Sequence, residues 1–211
     1  LLIFLARMRI NFLLIFFDKY RSRKSIIPNF GKIKINYKID KNCVIVFYRI
    51  SPFSNGKSPI FKNDKVRLTK ICLKSFLNAF KKIPLKIFFI LDSCPNLYIK
   101  LIKDLKIKDF EILEFDKAGN KGTWFVQLEI AKNLVNDNKI YFAEDDYLYL
   151  ANSGENIIEA LNRFDFVGPC DHLNYYKNPM KRKKQEIELL GSHHWRSSES
   201  TCLTFGTKAK L

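Results

Sequence analysis

The sequence predicts an α/β fold, a Rossmann-like and mostly parallel sheet flanked by helices. Three observations carry that expectation. Short β-branched and aromatic runs alternate along the chain with segments of helical period, the pattern of strand-helix-strand units. The runs are almost wholly apolar, as strands covered on both faces are. Polar residues gather at their carboxyl ends, where open α/β sheets bind ligands.

Each element follows in order. Leu1 to Phe17 is strongly apolar but contains Arg7, Arg9 and Asn11, and even an unbroken run such as Phe12 to Phe17 is too short to span a bilayer. No small-residue cleavage site precedes the basic stretch Lys19 to Lys24. Two readings stay open: a segment lying on an anionic membrane surface, or a helix packed on the domain. Cys43 to Tyr48 is the first buried strand, and Ser51 to Pro59, rich in turn formers, is the loop at its carboxyl end. Asn63 or Asp64 caps a helix to about Lys82, with Val66, Ile71, Phe76 and Phe80 on its apolar face and Pro84 ending it. Leu85 to Leu91 is the second strand, closing on Asp92; a helix from Pro95 toward Lys106 follows. Phe110 to Phe115 is the third. Gly119 to Thr123 reads as a turn, then a helix to about Asn136 with Phe125, Leu128, Ala131 and Leu134 inward. The fourth strand, around Ile140, stops in Glu144-Asp145-Asp146. Ser153-Gly154-Glu155 opens a helix to about Phe164, and Phe166 to Gly168 is a further strand. Beyond Pro169 periodicity weakens: Asp171 to Tyr176 and Met180 to Lys184 read as loop or flap, Ser192 to Ser200 as a histidine-rich turn, and Thr201 to Phe205 as a strand. The expected organisation is an apolar and basic extension over 1–42, a ligand-binding α/β domain over 43–168 and an incomplete region over 169–211.

With 211 residues, 47% of them hydrophobic and 19 of them Phe, the chain can bury one sizeable core. The formal charge of +16 raises nucleic acid as a partner. Lys far exceeds Arg, however, and no Arg-rich stripe interleaved with aromatics occurs, so no specific nucleic acid is expected. A basic surface suits anionic donors, phospholipid headgroups or acidic glycans. Cys43, Cys72, Cys94, Cys170 and Cys202 form no C-x-x-C pair and are odd in number. That fits neither a zinc ribbon nor a disulfide framework; reduced, mostly buried thiols and a cytoplasmic setting are expected. The chain starts on Leu and stops at Leu211 inside a pattern, which reads as a truncated frame with Met8 as a candidate start.

Glu144-Asp145-Asp146 carries the chemistry. Adjacent carboxylates beside an interior need compensation, and a divalent cation bridging to phosphate supplies it. Asp92, the Gly119 to Thr123 turn and the acids converge on one sheet rim. Acid pairs in two-component receivers and haloacid-dehalogenase-type phosphatases follow an early strand, whereas these follow the fourth. Four strands with three helices, then an acidic motif, resembles the nucleotide-binding half of family 2-type glycosyltransferases of GT-A fold. The matching residues are Val44 to Ser51, Gly119 to Gly122, Ile140 to Asp146 as a D-x-D-type motif, and Ser200 to Lys208, over about Cys43 to Leu211.

The resemblance implies a nucleotide-sugar donor, Mn²⁺ or Mg²⁺, a glycan or lipid-linked acceptor, and a setting in bacterial surface polysaccharide synthesis; contact with the inner face of the membrane is the first of the two readings of the apolar and basic N-terminal stretch. It makes Asp146 the metal ligand, with Asp145 and Glu144 at ribose or metal-bound water. Asp92 is placed at the base or ribose, or else is a helix cap; Asn120 and Lys121 are placed at phosphate, or else in a plain turn. The family's catalytic base falls beyond Leu211; Glu199, Asp171 and His194 are the substitutes within the chain. His193 and His194 point opposite ways on extended backbone, so one at most faces a site. Trp195 either stacks on a sugar or packs in the core, and Lys181 to Lys184 is a solvated face or a contact for anionic glycan or membrane. Two rival functions use the same features: a metal-dependent nucleotidyl or phosphoryl transferase, and a non-catalytic basic glycan- or nucleic-acid-binding module.

Overall fold

Successive side chains of a strand point to opposite faces, so a run that is apolar throughout must be covered on both. Val44–Ile50 (β2), Leu85–Asp92 (β3) and Lys139–Glu144 (β5) are such runs. The computed structural model describes residues 2–6 (backbone), 39–40, 42–52, 60–61, 63–134, 138–170, 186–198, 201 and 204–209. The other strands among them are Leu2–Ala6 (β1), Phe110–Phe115 (β4), Phe166–Gly168 (β6), Ile187–Leu190 (β7), His193–Ser198 (β8) and Phe205–Lys208 (β9). The described helices are Lys65–Ala79 (α1), Asn96–Asp104 (α2), Gly119–Ala131 (α3) and Ser153–Arg163 (α4).

One sheet runs β4-β3-β2-β5-β9-β6-β1-β8-β7. From β4 to β6 in that order, only β9 opposes the rest. One core layer, with Tyr48, Phe76, Phe80, Tyr141, Ile157 and Leu161, packs under α1, α2 and α4. The other, with Phe47, Phe88, Val126, Ile130 and Phe142, packs under α3. Helices on both faces of a mostly parallel sheet make this a Rossmann-like, GT-A-like α/β fold. The chain leaves β2 toward β3 on one side and returns to β5 on the other, so the β2/β5 boundary is the topological switch point.

Three expectations are corrected. The first residues of the apolar N-terminal stretch are not helical: β1 is an internal strand, antiparallel to β6 and parallel to β8. Pairing with two distant strands overrides the local pattern; the rest of that stretch and the basic run after it lie outside the described residues. Gly119 to Gly122 is the first turn of α3, with Gly119 at φ +66. The stretch read as a histidine-rich turn is β8, held between β1 and β7. Cys43 and Cys72 are buried free thiols and Cys94 and Cys170 half-buried ones; Cys202 lies outside the described residues. Among the described residues no helix is long and apolar enough to cross a membrane.

Candidate functional site

The last rung between β2 and β5 pairs Arg49 with Glu144. Alternation sends both toward the α3 face, where the Arg49 guanidinium forms an ion pair with the Glu144 carboxylate. Its Nη1 also donates to Asn120 Oδ1 in the first turn of α3 at 2.9 Å. The next acid points the other way. Asp145 Oδ1 accepts from Lys65 Nζ at 2.9 Å and Oδ2 from Thr69 Oγ1 at 3.0 Å, both on α1, whose start is capped by Asp64 accepting from Arg67 N. Burial pushes the Glu144 carboxyl up, with Arg49 opposing, and pushes Asp145 up, with Lys65 opposing. Asp146, past the strand end, is exposed. Three adjacent carboxylates thus diverge: one to a cation on each face of the sheet, one to solvent.

Asp92 closes β3 and serves the neighbouring turn. Its Oδ1 accepts from Ala118 N at 2.9 Å and its Oδ2 from Gly119 N at 2.8 Å. Ser93 adds to the same clamp, donating to Asp116 Oδ1 at 3.1 Å and accepting from Lys117 N at 2.8 Å. The helix that Asp92 caps is therefore α3; α2 starts after Pro95 with no side-chain cap. Lys121 lies exposed in the first turn of α3, beside Asn120. A cleft of about 560 Å³ opens at the ends of β3 and β4, lined by Leu91, Ser93, Cys94, Pro95 and Asp116 among others.

Asp92, Asn120, Lys121, Glu144, Asp145 and Asp146 therefore share the carboxyl rim of the sheet. His194 does not join the acids. It is exposed on β8, with β9, β6 and β1 between β8 and β5, a lateral separation of about 19 Å at ordinary strand spacing. Trp195 is fully buried and packs near Phe164, ring centroids 6.3 Å apart, so it belongs to the core. Asp171, Glu199 and Lys181 to Lys184 lie outside the described residues. Arg49, Lys65 and Thr69 escaped the sequence reading. Arg49 had a signal: it is a lone cation one residue before the end of an otherwise apolar strand.

Among the described residues no three His, Cys, Asp or Glu side chains cluster to hold a metal ion. Of the three adjacent acids, Asp146 is the exposed carboxylate at the switch point, with the other two engaged by cations. That donor set fits Mg²⁺ or Mn²⁺ arriving with phosphate oxygens, the coordination such hard cations accept.

No family model matches the chain, and no curated protein matches it in sequence. Among solved structures it is similar to 4-diphosphocytidyl-2C-methyl-D-erythritol synthase from Anaerococcus prevotii DSM 20548, at a TM-score of 0.47 and 11% identity, covering 82% of this chain and 74% of that one. A likeness at that level carries no inference about chemistry.

Proposed function

We propose that the chain is a metal-assisted transferase acting on a nucleotide donor held outside the carboxyl ends of β2 and β5. The observation that supports this is the divergence of the three acids. Glu144 and Asp145 are neutralised in place by Arg49 and Lys65, and Asp146 stands exposed at the switch point. In the main reading the donor is a nucleotide sugar and the transferred group a glycosyl unit, passed to a glycan or lipid-linked acceptor. Mn²⁺ or Mg²⁺, when bound, neutralises the charge growing on the leaving diphosphate. Asp146 holds it, and Asn120 and Lys121 at the start of α3 face the phosphates. The cleft at the ends of β3 and β4 takes the nucleoside, and Asp92, between the lining residues Leu91 and Ser93, holds the start of α3 through Ala118 and Gly119. The acceptor hydroxyl must lose its proton to a base; Asp171 and Glu199 are the candidates, since His194 is remote from the acids.

A second reading of the same acids is nucleotidyl transfer from a nucleoside triphosphate, in which charge grows on pyrophosphate instead. The two reactions part in their products. With Mn²⁺, panels of nucleotide sugars and nucleoside triphosphates, and added glycan, lipid-linked and phosphorylated acceptors to take the transferred group, glycosyl transfer releases nucleoside diphosphate and nucleotidyl transfer releases pyrophosphate. We expect nucleoside diphosphate. Pyrophosphate would move the assignment to the second reading, and turnover of neither panel would contradict both.

A further inference from the structure

Arg49 holds a position that the acids alone do not explain. It sits on the last rung of β2 at the switch point, where ligands of open α/β sheets bind. Its neighbours on that strand's α3 face, Ile45 and Phe47, are fully buried, so a guanidinium continues an apolar row. Its side chain is 16% exposed and that of Glu144 14%. A half-buried ion pair gains little net stability, since partial desolvation offsets much of the attraction. Function accounts for the pair better than stability does. The guanidinium also reaches Asn120, and so stands between the acid cluster and the start of α3. The other cation at the acids, Lys65, is turned to the opposite face and bonded to the buried Asp145.

We propose that Arg49 is a direct ligand of the donor's diphosphate, a second and metal-independent phosphate contact, with Glu144 and Asn120 holding its guanidinium in place before the donor arrives. This rests on the reading of the site as one for a nucleotide diphosphate and adds to it the residue that recognises phosphate. A guanidinium has five N–H donors in a planar fork, and the two bonds to Glu144 and Asn120 engage one N–H on each terminal nitrogen. The fork matches phosphate oxygens bidentately, which an ammonium does not. Asp146 and its cation would neutralise the diphosphate from solvent, and Arg49 from the strand end. Glu144 keeps the guanidinium from folding back onto the protein surface.

Inorganic pyrophosphate is the probe, since it needs no knowledge of the base or sugar. Its binding to the full chain is measured by calorimetry with excess EDTA and again with Mn²⁺, for the parent, Arg49→Gln, Arg49→Lys, Asp146→Asn and the double variant Arg49→Gln/Glu144→Gln. The double variant leaves no unpaired buried charge, so it folds where Arg49→Gln alone fails. The expected result is a loss of about tenfold or more in EDTA for both Arg49→Gln variants, with partial retention in Arg49→Lys and none of that loss in Asp146→Asn. In Mn²⁺, Asp146→Asn loses the metal-dependent gain and the Arg49 variants keep it. Equal pyrophosphate binding in EDTA by the parent and the double variant overturns the role of Arg49 while leaving the metal site standing. An Arg49-dependent signal that Mn²⁺ and Asp146→Asn leave untouched supports Arg49 and overturns the metal assignment instead. Absence of any pyrophosphate binding by the parent, with or without Mn²⁺, overturns both.

Discussion

Two backbone N–H groups converge on the Asp92 carboxylate, so a single side chain joins the end of β3 to the start of α3. Replacing it with Ala leaves those donors without their acceptor. We expect Asp92→Ala to cost about 1–3 kcal/mol of unfolding free energy, measured by urea titration, and Asp92→Asn to cost less because one oxygen remains. An unchanged midpoint would mean that the turn holds without the clamp. Cys94 lines the adjacent cleft, and burial pushes its thiol up to about 12; burial pushes Cys72 up to about 11. Both values lie above the unfolded thiol's, about 8.5, so the folded state holds these protons more tightly. Stability from this source is full below about pH 8.5 and falls as pH rises from there toward the folded values. Iodoacetamide at pH 8 should therefore label both residues at least tenfold more slowly in the native chain than in urea, read by mass spectrometry. Labelling at equal rates would contradict the burial assigned to them.

At the scale of elements, close approach decides where helices sit. A Cβ added at Gly154 would lie 2.6 Å from Ala79 O and 2.8 Å from Phe80 Cγ. The start of α4 is pressed against the end of α1 at a spacing only glycine allows. Gly154→Ala is expected to destabilise by about 1–3 kcal/mol through overpacking, seen as a lower thermal midpoint; a raised midpoint would contradict that contact. The same local physics explains what could be read in advance. Phe110–Phe115 and Phe166–Gly168 match the expected strands, and the central strands differ from expectation only at their ends, because apolar runs bounded by turn formers are local signals. Helix α3 starts earlier than expected because Gly119 and Gly122 are weak helix formers, and capping by Asp92 comes from another strand. Strand β8 was hidden by its composition, His-His-Trp-Arg-Ser-Ser, which becomes a strand only by pairing on both sides. Strand β1 finds its partners β6 and β8 near the other end of the chain, a pairing that no local window contains.

Across the whole molecule, the site is the product of topology. Asp92, Asn120, Lys121 and the acids were expected on one rim, and the sheet order puts the topological switch point on that rim. What could not be read was the partner of each acid: Arg49, Lys65 and Thr69 come from β2 and α1, far from the acids in sequence. Period-two alternation already implied that Glu144 and Asp145 point to opposite faces, which leaves Asp146 the exposed one. His194, by contrast, reaches the same sheet but too many strands away to serve these acids. The role proposed for Asp146 is to carry a metal-diphosphate site. The most direct measurement is calorimetric binding of a panel of nucleoside diphosphates to the parent and to Asp146→Asn, each with Mn²⁺ and with EDTA. Mn²⁺ is expected to tighten binding at least tenfold in the parent and to have no effect in Asp146→Asn. Equal tightening by Mn²⁺ in both proteins, or none in the parent, would contradict it.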